Sequence, residues 1–402
     1  MRITLLTGFA FIGSCIGALW WIIATALLCF TSVCALLQPF LQKRRATNAA
    51  QPPVSAILPV KITDPGFREA EASIFAQDYP NYEVLFSAAE AASPALDIVN
   101  ELAQTHATVP VRIMQSHCDS AVSPKLNVIA APLVAAEHDF ILTKDSNIIF
   151  DPDMLAVYMQ NFAAGVGVVV GVPVAEQAET ISGHIEAFLI NGHARLLLTT
   201  SAFGFGFGVG KAMMFRRSDL EKIGGFDAIS YTLAEDTAIS RGLAATGLKT
   251  VFAHCPLRQV IGHRTWREIY NRQLRWAVIR RAHEPITFPL EPFSSPLPAA
   301  IGAAIGAPLI GLSPLAGFGL SLLIWFAIEI GVAALKGWDV SPVSPIAFLG
   351  REILALSSWL RAWTTRDVTW ANGRLNVAAG TRAAAAEAAL SLRTERTGSD
   401  EL

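Results

Sequence analysis

Three short polar motifs stand out through their residue types and their order along the chain. Asp145-Ser146-Asn147 comes first, Glu235-Asp236 follows, and Arg272-Gln273-Leu274-Arg275-Trp276 is third. Carboxylates can hold a hard divalent cation or accept a proton, and arginines can clamp a phosphate. A metal ligand, a base and a phosphate clamp together would assist the departure of a diphosphate and the attack of a hydroxyl group.

Asp145 is the candidate metal ligand. It directly follows the apolar segment 140–143, which predicts a buried strand. Mg²⁺ and Mn²⁺ prefer oxygen ligands and are commonly bound by one or two carboxylates together with phosphate oxygens. The cofactor predicted here is therefore Mg²⁺ or Mn²⁺, and Asn147 would add a neutral oxygen or a contact behind it. The alternative is an ordinary Asx-type turn or a helix cap.

Asp236 is the candidate catalytic base. It lies where the pattern predicts the start of a helix over 236–245. As a base it would take the proton of an acceptor hydroxyl, whereas the competing interpretation is an N-cap aspartate. The residues alone leave both open, and Glu235 could serve as the base instead.

The third motif predicts a binding face on one helix. Arg272, Arg275 and Trp276 are spaced i, i+3 and i+4, so they share a face. Arginines bind phosphates bidentately, while the indole would stack or pack near a headgroup. A basic helix at a membrane interface is the alternative, and both can hold at once. His193 is a candidate for lining an acceptor channel, although a lone histidine is more often structural.

The pattern of elements suggests how these motifs are positioned. Strand patterns at 54–60, 82–86, 111–114 and 140–143 alternate with helix patterns at 67–76, 94–105 and 125–136, and a further helix is predicted at 181–198. Such alternation predicts an α/β fold with a parallel sheet and crossover helices. Ligands of these sheets bind beyond the carboxyl ends of the strands. Because Glu90 and Asp145 each follow a strand, they are expected in one crevice.

Glycines alternate with apolar residues from Gly204 to Gly210. The favoured interpretation is a strand or turn where glycine lets two backbones approach closely. The alternative is a loop that lines an acceptor entrance. A dinucleotide-binding loop is excluded because no strand–turn–helix frame with a downstream acid surrounds the run.

The composition indicates a soluble domain with a few membrane spans. The 402 residues are 52% hydrophobic and 16% charged, and net charge −2 gives no footprint for nucleic acid. The mean hydropathy is +0.42. Five cysteines without metal-type spacing favour a reducing compartment.

The apolar segments predict where the chain crosses the membrane. Residues 3–41 predict one uncleaved span centred on 15–37, and Lys43-Arg44-Arg45 after it places the next domain in the cytoplasm. Further spans are predicted at 297–314 and 316–335, whereas 344–363 could span or lie in the interface. Residues 381–402 predict a helix. The expected domains are an N-terminal helix with its basic flank, a catalytic domain, membrane or interfacial helices, and a tail, at 1–45, 46–290, 291–365 and 366–402.

Over about residues 54–375 the chain resembles the ceramide glucosyltransferases, a membrane branch of inverting glycosyltransferases with the GT-A fold, in which a Rossmann-like, mostly parallel sheet carries the site. The three motifs above match that family's acidic motifs and its (Gln/Arg)xxRW motif. Further matching segments are Val54 to Val60, Gln77 to Val84, Pro124-Lys125-Leu126-Asn127, Arg351-Glu352 and Trp370-x-x-Gly373-Arg374. Hopanoid glycosyltransferases of bacteria share much of this combination.

The resemblance implies an integral protein of a bacterial inner membrane that transfers glucose from UDP-glucose to the primary hydroxyl of ceramide, with inversion, on the cytoplasmic face. Its partners would be a UDP-sugar donor, a lipid acceptor and the membrane. Asp145 would hold metal and diphosphate, and Asp236 would be the base. Arg272, Arg275 and Trp276 would hold the leaving diphosphate and shape the acceptor site. Lys125, in the matching Pro-Lys-x-Asn element, is a further candidate for binding the donor, as His193 is for the acceptor.

One segment departs from the family pattern. The family has an Asp-rich segment after the second strand, whereas Glu90 is the one acid in the corresponding stretch 87–94. Glu90 is accordingly the candidate for the nucleotide contact. The alternatives are a hopanoid or other lipid as acceptor, a different UDP-sugar as donor, and a non-catalytic membrane scaffold.

Overall fold

The structure is a computed structural model that describes residues 2–44, 50–370 and 373–376. Its strands are β1 Val54–Pro59, β2 Tyr82–Ala88, β3 Val111–Gln115, β4 Phe140–Lys144, β5 Ile148–Ile149, β6 Val166–Val170, β7 Pro173–Ala178, β8 Ala212–Arg216, β9 Lys249–Phe252, β10 Leu257–Gly262, β11 Asp367–Trp370 and β12 Gly373–Asn376. Its α-helices are α1 Arg2–Lys43, α2 Phe67–Ala72, α3 Pro94–Thr105, α4 Pro124–Ala135, α5 Met154–Gln160, α6 Ile181–Ala202, α7 Arg217–Lys222, α8 Asp227–Ser230, α9 Glu235–Ala245, α10 Trp266–His283, α11 Pro296–Gly306, α12 Pro314–Lys336 and α13 Ser344–Ala362. Short 3₁₀ helices cover Ser73–Ala76, Phe288–Ser294 and Ala307–Ile310.

The largest sheet is mixed but mostly parallel, as the sequence predicts. Its strand order is β3-β2-β1-β4-β8-β6-β9, in which β8 runs antiparallel to both β4 and β6. The strands β1, β2, β3 and β4 are parallel neighbours. Strands β1 and β2 are buried almost throughout because helices cover both sheet faces, which explains their continuous apolar sequences. A smaller sheet, β5-β10-β7, adjoins the carboxyl end of β4.

The individual element predictions are confirmed to within a few residues, and three of them differ in an instructive way. The helix predicted over 67–76 changes from α2 to a 3₁₀ turn at Ser73, whose hydroxyl donates to the carbonyl of Ala70. The helix predicted over 181–198 extends to Ala202, and α9 begins one residue earlier than predicted, at Glu235. The tail helix predicted over 381–402 lies outside the described residues.

Two described helices are long and apolar enough to cross a membrane, namely Ala10–Lys43 and Pro314–Lys336. The segment predicted to span at 297–314 is instead shared between α11 and a 3₁₀ turn. The helices Phe288–Ser294 and Pro296–Ile310 form a pair that is bent by 62°. If this bent pair crosses the membrane as a single span, it is the third candidate span. Pro308 and the left-handed Gly311 end the helix early. The helix α13 is not among the candidate spans.

The first helix is attached directly to the sheet domain. The Gln38 amide donates to the Ser201 hydroxyl at 3.0 Å, and the Gln42 amide donates to the Asn161 side chain at 3.1 Å. Both glutamines are buried. Because buried polar groups need partners, these bonds fix the end of α1 against α6 and α5. The domain therefore has a defined orientation relative to its first apolar helix.

The carboxylate inside α12 is paired, as expected for an acid within a candidate membrane span. Glu329 accepts a hydrogen bond from the Arg351 guanidinium of α13 at 2.7 Å and lies 3.7 Å from that of Arg195 on α6. The Trp325 indole donates to the same carboxylate at 3.3 Å. These contacts join α12, α13 and α6, so the C-terminal helices form one assembly with the helix that leads into the crevice.

Candidate active site

Four segments bring charged side chains together beyond the carboxyl end of β4. Asp145 directly follows β4, and Lys211 directly precedes the antiparallel neighbour β8. Lys125 lies in the first turn of α4, which begins at a proline, and Glu235 is the first residue of α9. The backbone N–H of Asp145 donates to the carbonyl of Lys211 at 2.9 Å, so the sheet itself fixes the relation between these two residues.

Lys125 lies at the centre of this crevice. Its ammonium nitrogen is 2.8 Å from Asp145 Oδ1 and 3.3 Å from Glu235 Oε1, and it donates to the carbonyl of Gly210 at 2.7 Å. The ammonium group of Lys211 lies 3.2 Å from Asp145 Oδ2. One lysine thus joins the candidate metal ligand to the candidate base pair, and each carboxylate oxygen of Asp145 has its own ammonium partner.

The pKa shifts in the crevice follow from burial and these pairings. Burial raises the pKa of Asp145, but Lys125 and Lys211 outweigh it and hold the carboxyl below its usual range. Burial lowers the pKa of Lys125, yet Asp145 and Glu235 raise it overall. For Glu235, burial dominates and the pKa is raised, although Lys125 opposes the shift. Asp145 therefore loses its proton more readily than an ordinary aspartate, whereas Glu235 holds its proton more tightly than an ordinary glutamate.

A buried ion pair supports the turn that carries Asp145. The fully buried ammonium of Lys144 lies 3.4 Å from the carboxylate of Glu71. It also donates to the carbonyls of Ala70 and Ile148, each at 3.0 Å. The Ile148 N–H in turn donates to the carbonyl of Asp145 at 3.2 Å, which closes the turn. This pair could not be predicted, because neither Lys144 nor Glu71 belongs to a motif.

Asp236 differs from its neighbour Glu235 in burial and in hydrogen bonding. Ala234, and not Asp236, is the N-cap of α9, so the capping interpretation does not apply. Asp236 Oδ1 accepts a hydrogen bond from the N–H of Thr237 at 2.7 Å. Its side chain is half-buried, whereas Glu235 is buried against Lys125. Of the two acids, Asp236 is the one with a carboxylate open to the crevice.

The glycine run forms a loop over residues 203–210, called the aromatic loop below, and its glycines do allow close backbone approach. A Cβ on Gly208 would lie 2.2 Å from the carbonyl oxygen of Asp236, and one on Gly206 would lie 2.8 Å from the Cα of Val251. A Cβ on Gly210 would lie 3.3 Å from Asp236 Oδ2. The close-approach interpretation is confirmed, although the run is a loop rather than a strand.

The arginine motif lies on α10. This helix begins with a capping box, in which the Thr265 hydroxyl accepts from the Glu268 N–H and the Glu268 carboxylate accepts from the Thr265 N–H. Trp276 faces the crevice, since its ring centroid lies 5.9 Å from the ammonium of Lys211. Burial and the neighbouring Arg272 lower the pKa of Arg275 to about 10, while Asp145 opposes the shift. Arg275 therefore lies within electrostatic range of Asp145.

Arg272 forms an ion pair that the sequence did not predict. Its guanidinium lies 3.4 Å from the carboxylate of Glu186 on α6, a fully buried side chain. The Gln273 amide donates to the same carboxylate at 3.3 Å. Glu186 therefore positions α10 against α6, and Arg272 contributes charge to the crevice while it is anchored on one side.

Glu90, Asn147 and His193 have less direct relations to the crevice. Glu90 is exposed after β2, and it forms no ion pair with any residue that the structure describes. Asn147 is buried behind the turn, where its carbonyl accepts from the N–H of Val260. His193 is exposed on α6, and the charges that act on it are those of Arg280, Arg351 and Arg195 rather than the crevice acids.

Asp64, which the sequence analysis did not single out, lies beside the turn that carries Asp145. It follows β1, and its carboxylate accepts from Ser146 at 3.3 Å and from Arg264 at 3.1 Å. Because β1 lies between β2 and β4, the segment after β1 is nearer to Asp145 than the segment after β2. The strand-end rule could have found Asp64, had it been applied to the first strand as well.

The oxygen atoms around Asp145 fit a divalent cation that is completed by its ligand. Among the described residues, no three His, Cys, Asp or Glu side chains form a ready-made metal site. Mg²⁺ and Mn²⁺, however, bind sugar nucleotides and other phosphates with one or two carboxylates and keep several waters. The carboxylate of Asp145 suits that role, and Asp64 is the second carboxylate within reach through Ser146.

Comparison with known proteins places this site in a family context. The sequence profile of Glycosyl transferase family 21 matches residues 18–383. Ceramide glucosyltransferase 1 of Caenorhabditis elegans is 25% identical over 340 residues, which cover 82% of this chain and 73% of that protein. Ceramide glucosyltransferase 3 of the same organism is 24% identical over 342 residues, covering 83% and 74%. A ceramide glucosyltransferase of Komagataella phaffii is 24% identical over 270 residues, covering 58% and 53%.

Solved structures show more distant likenesses. The mannosyltransferase PcManGT of Pyrobaculum calidifontis, in complex with GDP-Man and Mn²⁺, has a TM-score of 0.47 and 14% identity, and the match covers 85% of this chain and 99% of that one. TarS 1–349 of S. aureus, in complex with UDP, has a TM-score of 0.36 and 16% identity, covering 80% and 95%.

Proposed function

Because this chain belongs to glycosyl transferase family 21, and is therefore a glycosyltransferase, we propose that it moves glucose from UDP-glucose to the primary hydroxyl of ceramide with inversion. The observation that carries the proposal is the position of Lys125, whose ammonium group contacts both Asp145 and Glu235. The candidate metal ligand and the acidic pair that includes the candidate base therefore lie in one crevice. The similarity to curated ceramide glucosyltransferases over most of the chain supports the choice of acceptor.

The donor's diphosphate would bind among the cations of the crevice. Lys125, Arg272 and Arg275 supply positive charge around Asp145, and Trp276 closes the site beside them. Guanidinium and ammonium groups stabilise the negative charge that develops on a departing diphosphate. A divalent cation held by Asp145 would supply further charge neutralisation at the same group. Glu90 and Asn147 remain proposals for the nucleotide side of the site.

The acceptor hydroxyl would be activated by Asp236. Its carboxylate is oriented by the Thr237 N–H and is accessible, so it can accept the hydroxyl proton as the oxygen attacks the anomeric carbon. Attack from the face opposite the leaving diphosphate inverts that carbon. Glu235, buried on Lys125, would keep Lys125 in place rather than take the proton.

The aromatic loop offers a route from the membrane to Asp236. Phe203, at its start, stacks on Phe30 of α1 with ring centroids 6.2 Å apart. Phe203 and Phe205 are 54% and 66% exposed, while Gly208 of the same loop packs on the backbone of Asp236. Acyl chains of a lipid acceptor would follow these rings while its headgroup reaches the carboxylate. His193 and Trp276 are proposed to line the acceptor side.

We place the catalytic domain on the cytoplasmic face of the membrane, in a bacterial inner membrane. Lys43 ends the first candidate span and Arg44 follows it directly, and positively charged flanks favour the cytoplasmic side. The domain is attached to that end of α1 by Gln38 and Gln42, so it would lie against the same surface. The division into 1–45, 46–290, 291–365 and 366–402 is part of this proposal.

The proposal is tested by offering the purified full chain, in lipid vesicles, a matrix of donors and acceptors. The donors are UDP-glucose, UDP-galactose and UDP-glucuronate, and the acceptors are ceramide and a hopanoid alcohol. Mass spectrometry should detect hexosylated ceramide with UDP-glucose as the preferred donor. If only the hopanoid is glycosylated, the proposed acceptor is wrong, and if another donor is preferred, the proposed sugar is wrong. Donor hydrolysis without any lipid product would reject the proposal that the chain is a lipid glycosyltransferase.

Replacing Phe205 by serine should weaken the use of long-chain acceptors. Loss of one buried aromatic contact with the acyl chains corresponds to about a tenfold or larger rise in KM for long-chain ceramide. A short-chain, water-soluble ceramide should be used almost as before, and UDP binding should not change. Val134→Ser is the matched control, because Val134 is also an exposed apolar residue but lies on α4. An equal KM change for both acceptors would contradict the lipid route.

Gly208→Ala should lower kcat although the residue carries no functional group. The added Cβ would overlap the carbonyl of Asp236 and push the start of α9 away from the loop. Displacement of a catalytic group by about 1 Å can reduce the rate about 10²-fold. Gly319→Ala is the control, since a Cβ there has no neighbour within 4 Å. Unchanged kcat in Gly208→Ala would show that the loop does not position Asp236.

A further inference from the structure

Lys211 holds Asp145 through geometry that the sheet enforces. It stands opposite Asp145 across the antiparallel pair β4–β8, where the Asp145 N–H donates to its carbonyl at 2.9 Å. From this position its ammonium nitrogen lies 3.2 Å from Asp145 Oδ2, and its side chain is 18% exposed. Its place is therefore set by two adjacent strand ends rather than by a long loop.

The two lysines on Asp145 are anchored to different extents. Lys125 also donates to the carbonyl of Gly210 and contacts Glu235, so three groups hold it. Lys211 has the carboxylate of Asp145 as its hydrogen-bond partner and the ring of Trp276 at 5.9 Å. Lys211 is consequently the ammonium group that can leave Asp145 while the rest of the crevice stays in place.

A divalent cation and Lys211 would compete for the same carboxylate oxygen. Two positive charges a few ångströms apart repel each other strongly in a partly buried site. A largely buried ammonium group that loses its carboxylate needs another anion, because an unpaired charge is costly to bury. The diphosphate of a sugar nucleotide is such an anion, and it would arrive between Asp145, Arg275 and Trp276.

We propose that Lys211 is a further donor-binding residue. Its ammonium group neutralises Asp145 in the empty crevice and moves to the diphosphate when a metal ion and the nucleotide bind together. This inference rests on the proposed UDP-sugar site. It makes metal and nucleotide binding cooperative: Lys211 blocks the metal ion in the absence of nucleotide and binds the nucleotide in its presence. Lys125 retains its other partners throughout.

The test measures binding, without sugar transfer, on the full chain in nanodiscs. Mn²⁺ binding is followed by electron paramagnetic resonance with and without UDP, and UDP binding is followed by calorimetry with and without Mn²⁺. In the wild type each ligand should strengthen the other by the same factor, within about 5- to 150-fold. Lys211→Met should bind Mn²⁺ alone more tightly and UDP more weakly, so that this factor falls towards one.

Two further variants make the result decisive. Lys211→Arg keeps the positive charge and should bind Mn²⁺ alone as weakly as the wild type. This variant still tests the proposal if Lys211→Met does not fold. Lys222→Met removes a 64% exposed lysine on α7 and should match the wild type. If Lys211→Met binds Mn²⁺ and UDP as the wild type does, or if the arginine variant binds Mn²⁺ alone more tightly than the wild type, Lys211 does not have this role. If the wild type binds no UDP at all, the donor site itself is wrong.

Discussion

Asp236→Asn is expected to reduce transfer about 10²–10⁴-fold, the usual loss when a positioned general base is removed, while UDP binding stays nearly unchanged. Asparagine keeps the shape and can still accept the hydrogen bond from the Thr237 N–H, so the start of α9 should be preserved. Glu235 forms an ion pair with Lys125, whereas Asp236 does not. Transfer is followed with ceramide and UDP-glucose, and UDP binding is measured by calorimetry.

The neighbouring acid supplies the matched variant. Glu235→Gln should weaken the anchoring of Lys125 and therefore affect donor binding as well as turnover. If Asp236→Asn turned over at the wild-type rate and the large loss moved to Glu235→Gln, the assignment of the base would pass to Glu235. The two variants thus distinguish an acceptor-side carboxylate from a donor-side one.

Asp145→Ala should abolish metal-dependent activity, with a loss of at least about 10²-fold, because it removes the carboxylate around which the donor's charge is neutralised. Wild-type activity should require Mg²⁺ or Mn²⁺. Since one carboxylate carries most of the metal site, metal affinity should be weak without the donor. Turnover is measured across a metal titration and in excess EDTA.

The carboxylate control for this variant is Asp97→Ala, which removes an exposed acid from the first turn of α3. Asp145→Ala also leaves Lys125 and Lys211 without their shared partner, so its melting temperature must be compared with that of the control. Full wild-type activity in excess EDTA would contradict the metal requirement, and a folded, fully active Asp145→Ala would remove Asp145 from the donor site.

The sequence predicted most of the sheet because its strands are buried on both faces. Segments such as 82–86 are continuously apolar and bounded by turn residues, which leaves little choice of element. It could not predict that β8 inserts antiparallel between β4 and β6, because strand order depends on long-range pairing that periodicity does not encode. The segment 297–314, predicted as one straight span, is bent for a local reason, the change from α-helix to a 3₁₀ turn after Gly306.

The sequence predicted those residues of the candidate site that belong to short motifs. Asp145, Glu235 and Trp276 all lie at the crevice, because strand ends and helix starts converge at one edge of the sheet. Lys211 was missed because a single lysine in a loop carries no spacing signal, and Asp64 was missed because the strand-end rule was not applied to the first strand. Their roles appear only when β1 and β8 are placed on either side of β4.

The most direct test of the central claim is the structure of the lipid product. The full chain in vesicles is given ceramide and isotopically labelled UDP-glucose, whose glucose is α-linked, and the purified lipid is examined by nuclear magnetic resonance. A base at Asp236 that activates the ceramide hydroxyl for direct displacement predicts labelled glucose in β-linkage to the primary hydroxyl. An α-linked product, attachment at another position, or label that remains in free glucose would contradict it.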